Sequence, residues 1–264
     1  MNYEDLLVEK KDGIAIVTLN APTKLNALTL AMRVSIPLAA DEISRDDSIR
    51  VAIVTGAGRG FCSGADVTVQ ASRVAGTIET SRYTLLEDVG GAIPFAFPRM
   101  TKPVIAAING ACVGAGMSVA LSCDIRIASE TARFNVAQIA RALVPDMGLT
   151  FFLPHAIGTS NAMKLMLTAD FIGAAEAEKL GLVSQVVPPD KLMDAACELA
   201  GKIMKNAPIA VELTKKIMWR GLLARLNHQI DLETGAIQIC RRSEDHGEAV
   251  RSFFEKRPPV WKGK

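Results

Sequence analysis

No two of the five cysteines (Cys62, Cys112, Cys123, Cys197, Cys240) stand in a CxxC or a Cys/His spacing. Zinc sites use such spacings, and a disulfide framework uses an even set of cysteines, so five scattered ones indicate neither, and reduced buried thiols are expected. Charge of one sign is also scarce: 30 Lys and Arg against 28 Asp and Glu leave a net charge of +2. With no basic run either, the electrostatic footprint of a nucleic-acid binder is missing. An anionic ligand would have to be held by local groups. There is no GxSxG, and His155, His228 and His246 have no evident partner, so a serine hydrolase is not indicated. Met1–Lys11 carries Glu4, Asp5 and Glu9 and shows neither a signal-peptide nor a transit-peptide pattern. The terminal Lys-Gly-Lys is no peroxisomal address, and a cytoplasmic location without membrane attachment is expected.

What is present fits one large α/β domain or one domain with a helical appendage: 264 residues, 49% hydrophobic and 22% charged. Ile14–Leu19, Val51–Thr55 and Val104–Ile108 are short β-branched runs, each followed by a turn signal, as in strands covered on both faces. Further strands are expected at Asp124–Ala128 and Val183–Val187. Leu28–Ser44 has helical spacing despite Pro37. Pro103–Cys123 is uncharged and long enough to span a membrane. Its Asn109, Gly110, Gly114 and Gly116 instead suggest a buried strand, a tight turn and a helix start. Beyond Pro188, helices are expected at Asp190–Asn206, Ile209–Arg220, Ala224–Arg242 and Glu244–Lys256, with apolar faces that must pack on the core or on another subunit. This divides the chain into a core, 1–188, and a helical region, 189–264.

Val51–Cys62, VAIVTGAGRGFC, imitates the glycine-rich turn of nicotinamide-dependent oxidoreductases. The imitation fails because Cys62 stands where a glycine must admit a pyrophosphate, and because a strand and a helix precede it. Moreover, neither Tyr3 nor Tyr83 has a lysine four residues on.

Several segments, in order and spacing, resemble the crotonase (enoyl-CoA hydratase/isomerase) superfamily from Ile14 to about Lys262. They are Lys24-Leu25-Asn26-Ala27-Leu28, Phe61-Cys62-Ser63-Gly64-Ala65-Asp66, Lys102 to Gly110, Cys123-Asp124-Ile125 and Ala177 with Gly181-Leu182-Val183. The resemblance implies a spiral of ββα units with a C-terminal helical part that builds homotrimers, often paired into hexamers. It implies an acyl-CoA thioester as substrate, with coenzyme A entering as part of it, and neither a separate cofactor nor a metal. Two backbone N–H groups, mapping to Ala65 and Ala115, would form an oxyanion hole, with Gly114 beside them at the opening of a helix Met117–Ser122. Each such donor is worth about 2.7–4 kcal/mol of barrier, although small residues here also simply permit close packing. Lys24, Leu25, Ala27, Ser63, Asp66 and Val67 would line the adenine and phosphate site. Thr68 replaces the basic residue often found there. Phe253 and Lys262 would reach a neighbouring subunit's coenzyme.

The same resemblance bears on the chemistry. The two glutamates of the hydratases map to Ser118 and Gln138, neither of which can act as a base near neutral pH. Asp146, eight residues past Gln138 in Val144-Pro145-Asp146, occupies the position of the isomerases' acidic base. One carboxylate can move a proton from C2 to C4 on one face of a dienolate, and burial would raise its pKa. Asp146 also suits a cap on the helix that follows. Gln138 would bond a substrate group or orient Asp146, and Val69–Pro98, with Tyr83, Leu86, Phe95 and Phe97, would wall the acyl pocket. The Pro-Asp motif resembles that of isomerases of aromatic-ring degradation, so double-bond isomerisation, in fatty-acid metabolism or aromatic degradation, is the favoured reading. Hydration or other thioester-enolate chemistry is the alternative. An aromatic acyl-CoA dehalogenase would pair the aspartate with tryptophan where Gln138 stands, and a non-catalytic acyl-CoA or RNA binder is the last possibility.

Overall fold

The computed structural model describes residues 3–66, 68 and 92–264. Val67 and most of the expected acyl-pocket wall, including Tyr83 and Leu86, lie outside the described residues.

β1 (Leu6–Lys11) and β2 (Ile14–Leu19) pair antiparallel across Asp12-Gly13, both at positive φ. Asp-Gly between two strands is a strong hairpin signal. β1 was nevertheless not expected, because its exposed Glu9, Lys10 and Lys11 break the apolar run. β3 (Val51–Gly56), β5 (Val104–Ile108), β7 (Ile125–Ser129) and β10 (Gln185–Val187) continue the sheet in parallel, in the order β1-β2-β3-β5-β7-β10. Val51–Val54 are wholly buried because both faces are covered. Ala52 and Val54 join the cluster containing Ile36 and Ile43 of α1 (Leu30–Arg45). Val51 and Ile53 join Leu192, Ala196 and Ala200 of α7, defined below.

Short strands β4 (Gly60–Cys62), β6 (Ala111–Val113), β8 (Arg133–Asn135) and β9 (Ile172–Gly173) form a second sheet. Long strand, short strand and helix follow one another, as in β5, β6 and α3 (Ala115–Ser122), which gives a crotonase-like ββα spiral. At the corners the backbones nearly touch: a Cβ on Gly56 would lie 2.2 Å from Gly60 O, and one on Gly110 would lie 2.0 Å from Arg59 O. The glycines of VAIVTGAGRG therefore serve a chain crossing. The uncharged stretch from Pro103 becomes β5, a turn, β6 and α3, all packed inside, and among the described residues no helix is long and apolar enough to cross a membrane.

α2 (Ile93–Arg99), α4 (Leu149–Ile157), α5 (Thr159–Thr168) and α6 (Ala174–Lys179) complete the body. Phe95 and Phe97 of α2 are buried in the core. Beyond Pro188, α7 (Leu192–Met204) packs on the main sheet, α8 (Pro208–Arg242) crosses α2 and α4, and α9 (Glu244–Glu255) follows. One correction concerns α8: two helices were expected, yet 35 residues run unbroken. Gly221 is exposed and costs only about 1 kcal/mol in helix propensity, while a buried anchor holds the helix. Lys215 Nζ donates to Phe97 O (2.8 Å) and Lys102 O (2.9 Å) and pairs with Asp124 Oδ2 (2.8 Å). Trp219 Nε1 donates to Asp124 Oδ1 at 2.6 Å.

Candidate active site

The segment Lys24–Leu28 is laid against Ser63–Asp66. Leu25 and Asn26 take left-handed backbone (φ 50° and 55°). Buried Asn26 stabilises the bend: its Nδ2 donates to Ala57 O (2.8 Å) and Gly60 O (2.7 Å), while its Oδ1 accepts from Ala21 N (2.9 Å). Ser63 N donates to Leu25 O, and Ser63 Oγ donates to Lys24 O, both at 3.0 Å. Lys24 Nζ, half exposed, pairs with buried Asp66 at 2.8 Å. That bond raises the pKa of Lys24, while Asp66, although burial pushes the other way, is held below its ordinary value by Lys24 and Thr68. Lys24, Leu25, Ala27, Ser63 and Asp66 are thus one patch, and its only lysine is already tied to a carboxylate.

Next to this patch, Leu28 N donates to Gly64 O (2.7 Å) and Asp66 N to Leu28 O (3.4 Å). Alternation along extended chain then turns the N–H of Ala65, between them, away from Leu28. Ala115 is the first residue of α3, where an N–H has no intrahelical acceptor. Among the described residues, no hydrogen bond has the N–H of Ala65 or Ala115 as donor. The two segments adjoin: a Cβ on Gly64 would stand 3.9 Å from the Ala115 nitrogen.

The contacts continue from Gly114, where a Cβ would lie 3.5 Å from Gln138 Oε1. Gln138 is 8% exposed, its Nε2 donates to Asp146 Oδ1 at 3.2 Å, and among the described residues its Oε1 has no hydrogen-bond partner. Ser118, fully buried on α3, donates through Oγ to the Asp146 carbonyl at 3.3 Å. Asp146 keeps a little exposed surface, yet the protein around its carboxyl pushes its pKa up. The Gln138 bond and the positive charges of Arg241 and Arg33 oppose that shift in part.

Asp146 is not the cap of α4: the N-cap is Gly148, at φ 78°, after Met147 at φ 57°. The helix start is instead capped from α8. Glu233 accepts from Gly148 N (2.7 Å), Thr150 N (3.0 Å) and Thr150 Oγ1. Burial raises the pKa of Glu233, and the neighbouring charge of Asp146 adds to the shift. Sequence reasoning missed Glu233, although a signal existed: it interrupts the buried stripe Leu226, Ile230, Ile237 on one helix face. Phe253 and Lys262 lie elsewhere. The Phe253 ring stands 4.8 Å from the Arg141 guanidinium carbon, and Lys262 Nζ pairs with Glu244 at 2.9 Å.

Residues 9–264 match the profile of the enoyl-CoA hydratase/isomerase family. The chain belongs to that family. One relative within it, a short-chain-enoyl-CoA hydratase of Clostridium acetobutylicum, is 37% identical over 97% of each chain. An enoyl-CoA hydratase structure from Mycobacterium avium subsp. paratuberculosis superposes with TM-score 0.87 at 29% identity, covering 99% of this chain and all of that one. A monofunctional enoyl-CoA isomerase from M. smegmatis matches at 36% identity with TM-score 0.69, covering 85% of this chain and 98% of that one. Within the enoyl-CoA hydratase/isomerase family the chain thus resembles proteins named for either reaction, hydratase names being the more numerous.

Proposed function

We propose that this protein is an acyl-CoA enzyme that shifts a carbon–carbon double bond through a thioester dienolate. The observation that carries the reading is the desolvated Asp146 carboxylate, bonded to Gln138, with no carboxylate at positions 118 or 138. Asp146 takes the C2 proton of a 3-enoyl thioester. The electron pair moves onto the thioester oxygen, which accepts from the N–H groups of Ala65 and Ala115. Collapse of the dienolate takes the same proton back at C4 and leaves the conjugated 2-enoyl thioester. Two carbons on one face of a planar intermediate need one base only. The Lys24–Asp66 patch would hold the coenzyme end.

Hydration is the second reading, and the names of the relatives favour it over the first. In that reading Asp146 and Gln138 share one water, Gln138 accepting through Oε1, which has no partner among the described residues. The two are separated by assaying wild type and Asp146→Asn on a 3-enoyl-CoA and on a 2-enoyl-CoA. Fast conversion of the first, slow loss of the second, and abolition of the first by Asn support isomerisation. Dominant loss of the 2-enoyl-CoA assigns the site to hydration.

The trimer, or dimer of trimers, implied by the family resemblance belongs to the same proposal. The exposed row Ile209, Leu213, Ile217 along α8 is a face suited to burial against a second copy. Sedimentation of the purified chain tests it, a monomer counting against it.

A further inference from the structure

We propose that Glu233 is a positioning residue for Asp146, clamping from α8 the turn that carries the base. The inference rests on the proposed role of Asp146 and goes beyond it. Asp146 is followed by two residues of left-handed backbone, Met147 and Gly148, before α4 begins. Left-handed backbone is unfavourable for a side chain such as that of Met147 and persists only where surroundings hold it. α4 supplies no side-chain cap of its own. The surroundings that hold the turn are the two Glu233 oxygens, one accepting from Gly148 N and the other from Thr150 N and Oγ1. Gln229, one turn earlier, donates to Thr150 Oγ1 at 2.7 Å. The clamp comes from a fixed base, because α8 is anchored 18 residues upstream by Lys215 and Asp124, about 27 Å along the helix axis. Asp146 is itself held from the other side by Gln138 Nε2 and, at its carbonyl, by Ser118 Oγ and Leu149 N.

Electrostatics adds a signature that a plain cap would lack. Among the described residues, the groups facing Asp146 are Arg33 from α1, Arg241 from α8, and the neutral Gln138 and Ser118. Glu233 lies in the field of Asp146, and the two carboxylates repel when both are ionised. With Glu233 ionised, its replacement by a neutral side chain makes Asp146 easier to deprotonate.

The test uses the full chain and three variants. Glu233→Gln keeps the shape but replaces one acceptor oxygen with a donor group, so it is expected to lower kcat about tenfold to a hundredfold. KM should stay within about twofold. The acid limb of kcat/KM should move to lower pH. Glu233→Asp keeps the charge but shortens the reach, so it should lower kcat with the acid limb in place. Thr150→Val removes one neutral donor and should leave the acid limb in place. Titration of the Asp146 carboxyl by carbon NMR, assigned by its loss in Asp146→Asn, reads the same shift without turnover. A downward shift in Glu233→Gln supports the proposal. An unmoved titration, or Glu233→Asp with wild-type kcat, overturns it, and the Asp variant serves if the Gln variant does not fold. Wild type inert toward both enoyl-CoA esters would refute the proposed reaction, while the NMR titration would still decide the coupling.

Discussion

Gln138 gives one half of its amide to Asp146, at 3.2 Å through Nε2, and leaves the other half, Oε1, buried and without a partner among the described residues. A buried acceptor left unmade costs about 1–3 kcal/mol. The pair is thus a donor committed to the base beside an acceptor left for a hydrogen on something else. Several expected outcomes follow from this neighbourhood.

Wild-type kcat/KM should fall on the acid side at a pH above the ordinary aspartate range, near 3.9. Asp146 must be ionised to accept a proton, and burial raises its pKa. A pH–rate profile checks this, and an acid limb at or below the ordinary value would remove Asp146 as the base.

Asp146→Asn should be more stable than wild type at neutral pH. A carboxyl whose folded pKa is raised binds its proton more tightly in the native state than in the unfolded state. Its unfavourable contribution therefore sets in as pH rises from the unfolded pKa through the folded one. Denaturation at neutral pH and again below about pH 3.5 should show the advantage fading in acid.

Ala115→Pro removes one N–H at the first position of α3, where proline is tolerated. Activity should drop about 10²–10³-fold with circular dichroism unchanged. An active proline variant would rule out the Ala115 N–H as an oxyanion donor.

Lys215→Met should destabilise the chain by about 3 kcal/mol, because it removes the cation bonded to Asp124 and one of the donors to Phe97 O, which keeps Met100 N, and takes the side-chain donor from Lys102 O. Burial already lowers the pKa of Lys215, with Asp124 opposing. Urea unfolding measures the loss, and a change below about 1 kcal/mol would mean the network contributes little.

Thiol titration of the native protein should find Cys197 and Cys240 reactive and Cys62, Cys112 and Cys123 silent. The last three are buried, and burial pushes their thiols up, Cys62 to about 12. Five fast thiols would contradict the packing of the core.

Much of the fold was legible because its signals are local. The runs Ile14–Leu19 and Val104–Ile108 are strands with the expected bounds; Val104–Ile108 is covered on both faces as expected, whereas in Ile14–Leu19, one strand from the sheet edge, half-buried and buried residues alternate. The expected helix break near Gly221 was wrong because propensity is a weak term that the Lys215 anchor overrides. Short strands such as β4 and β8 escaped notice, three residues being too few to show a period. At the site, residue types could be read directly: Ser118 and Gln138 cannot ionise near neutral pH, and Asp146 can.

The sequence by itself determined the layers, the family-like order of motifs and which side chains have chemistry available. Tertiary structure alone decided three further things: that burial raises the pKa of Asp146, that Gln138 Oε1 has no hydrogen-bond partner among the described residues, and that Glu233, 85 residues from Gly148, caps its helix. The physical reason is range. Hydrophobic periodicity and turn chemistry act over a few residues and are written along the chain, whereas a pKa and a clamp depend on what folding brings alongside.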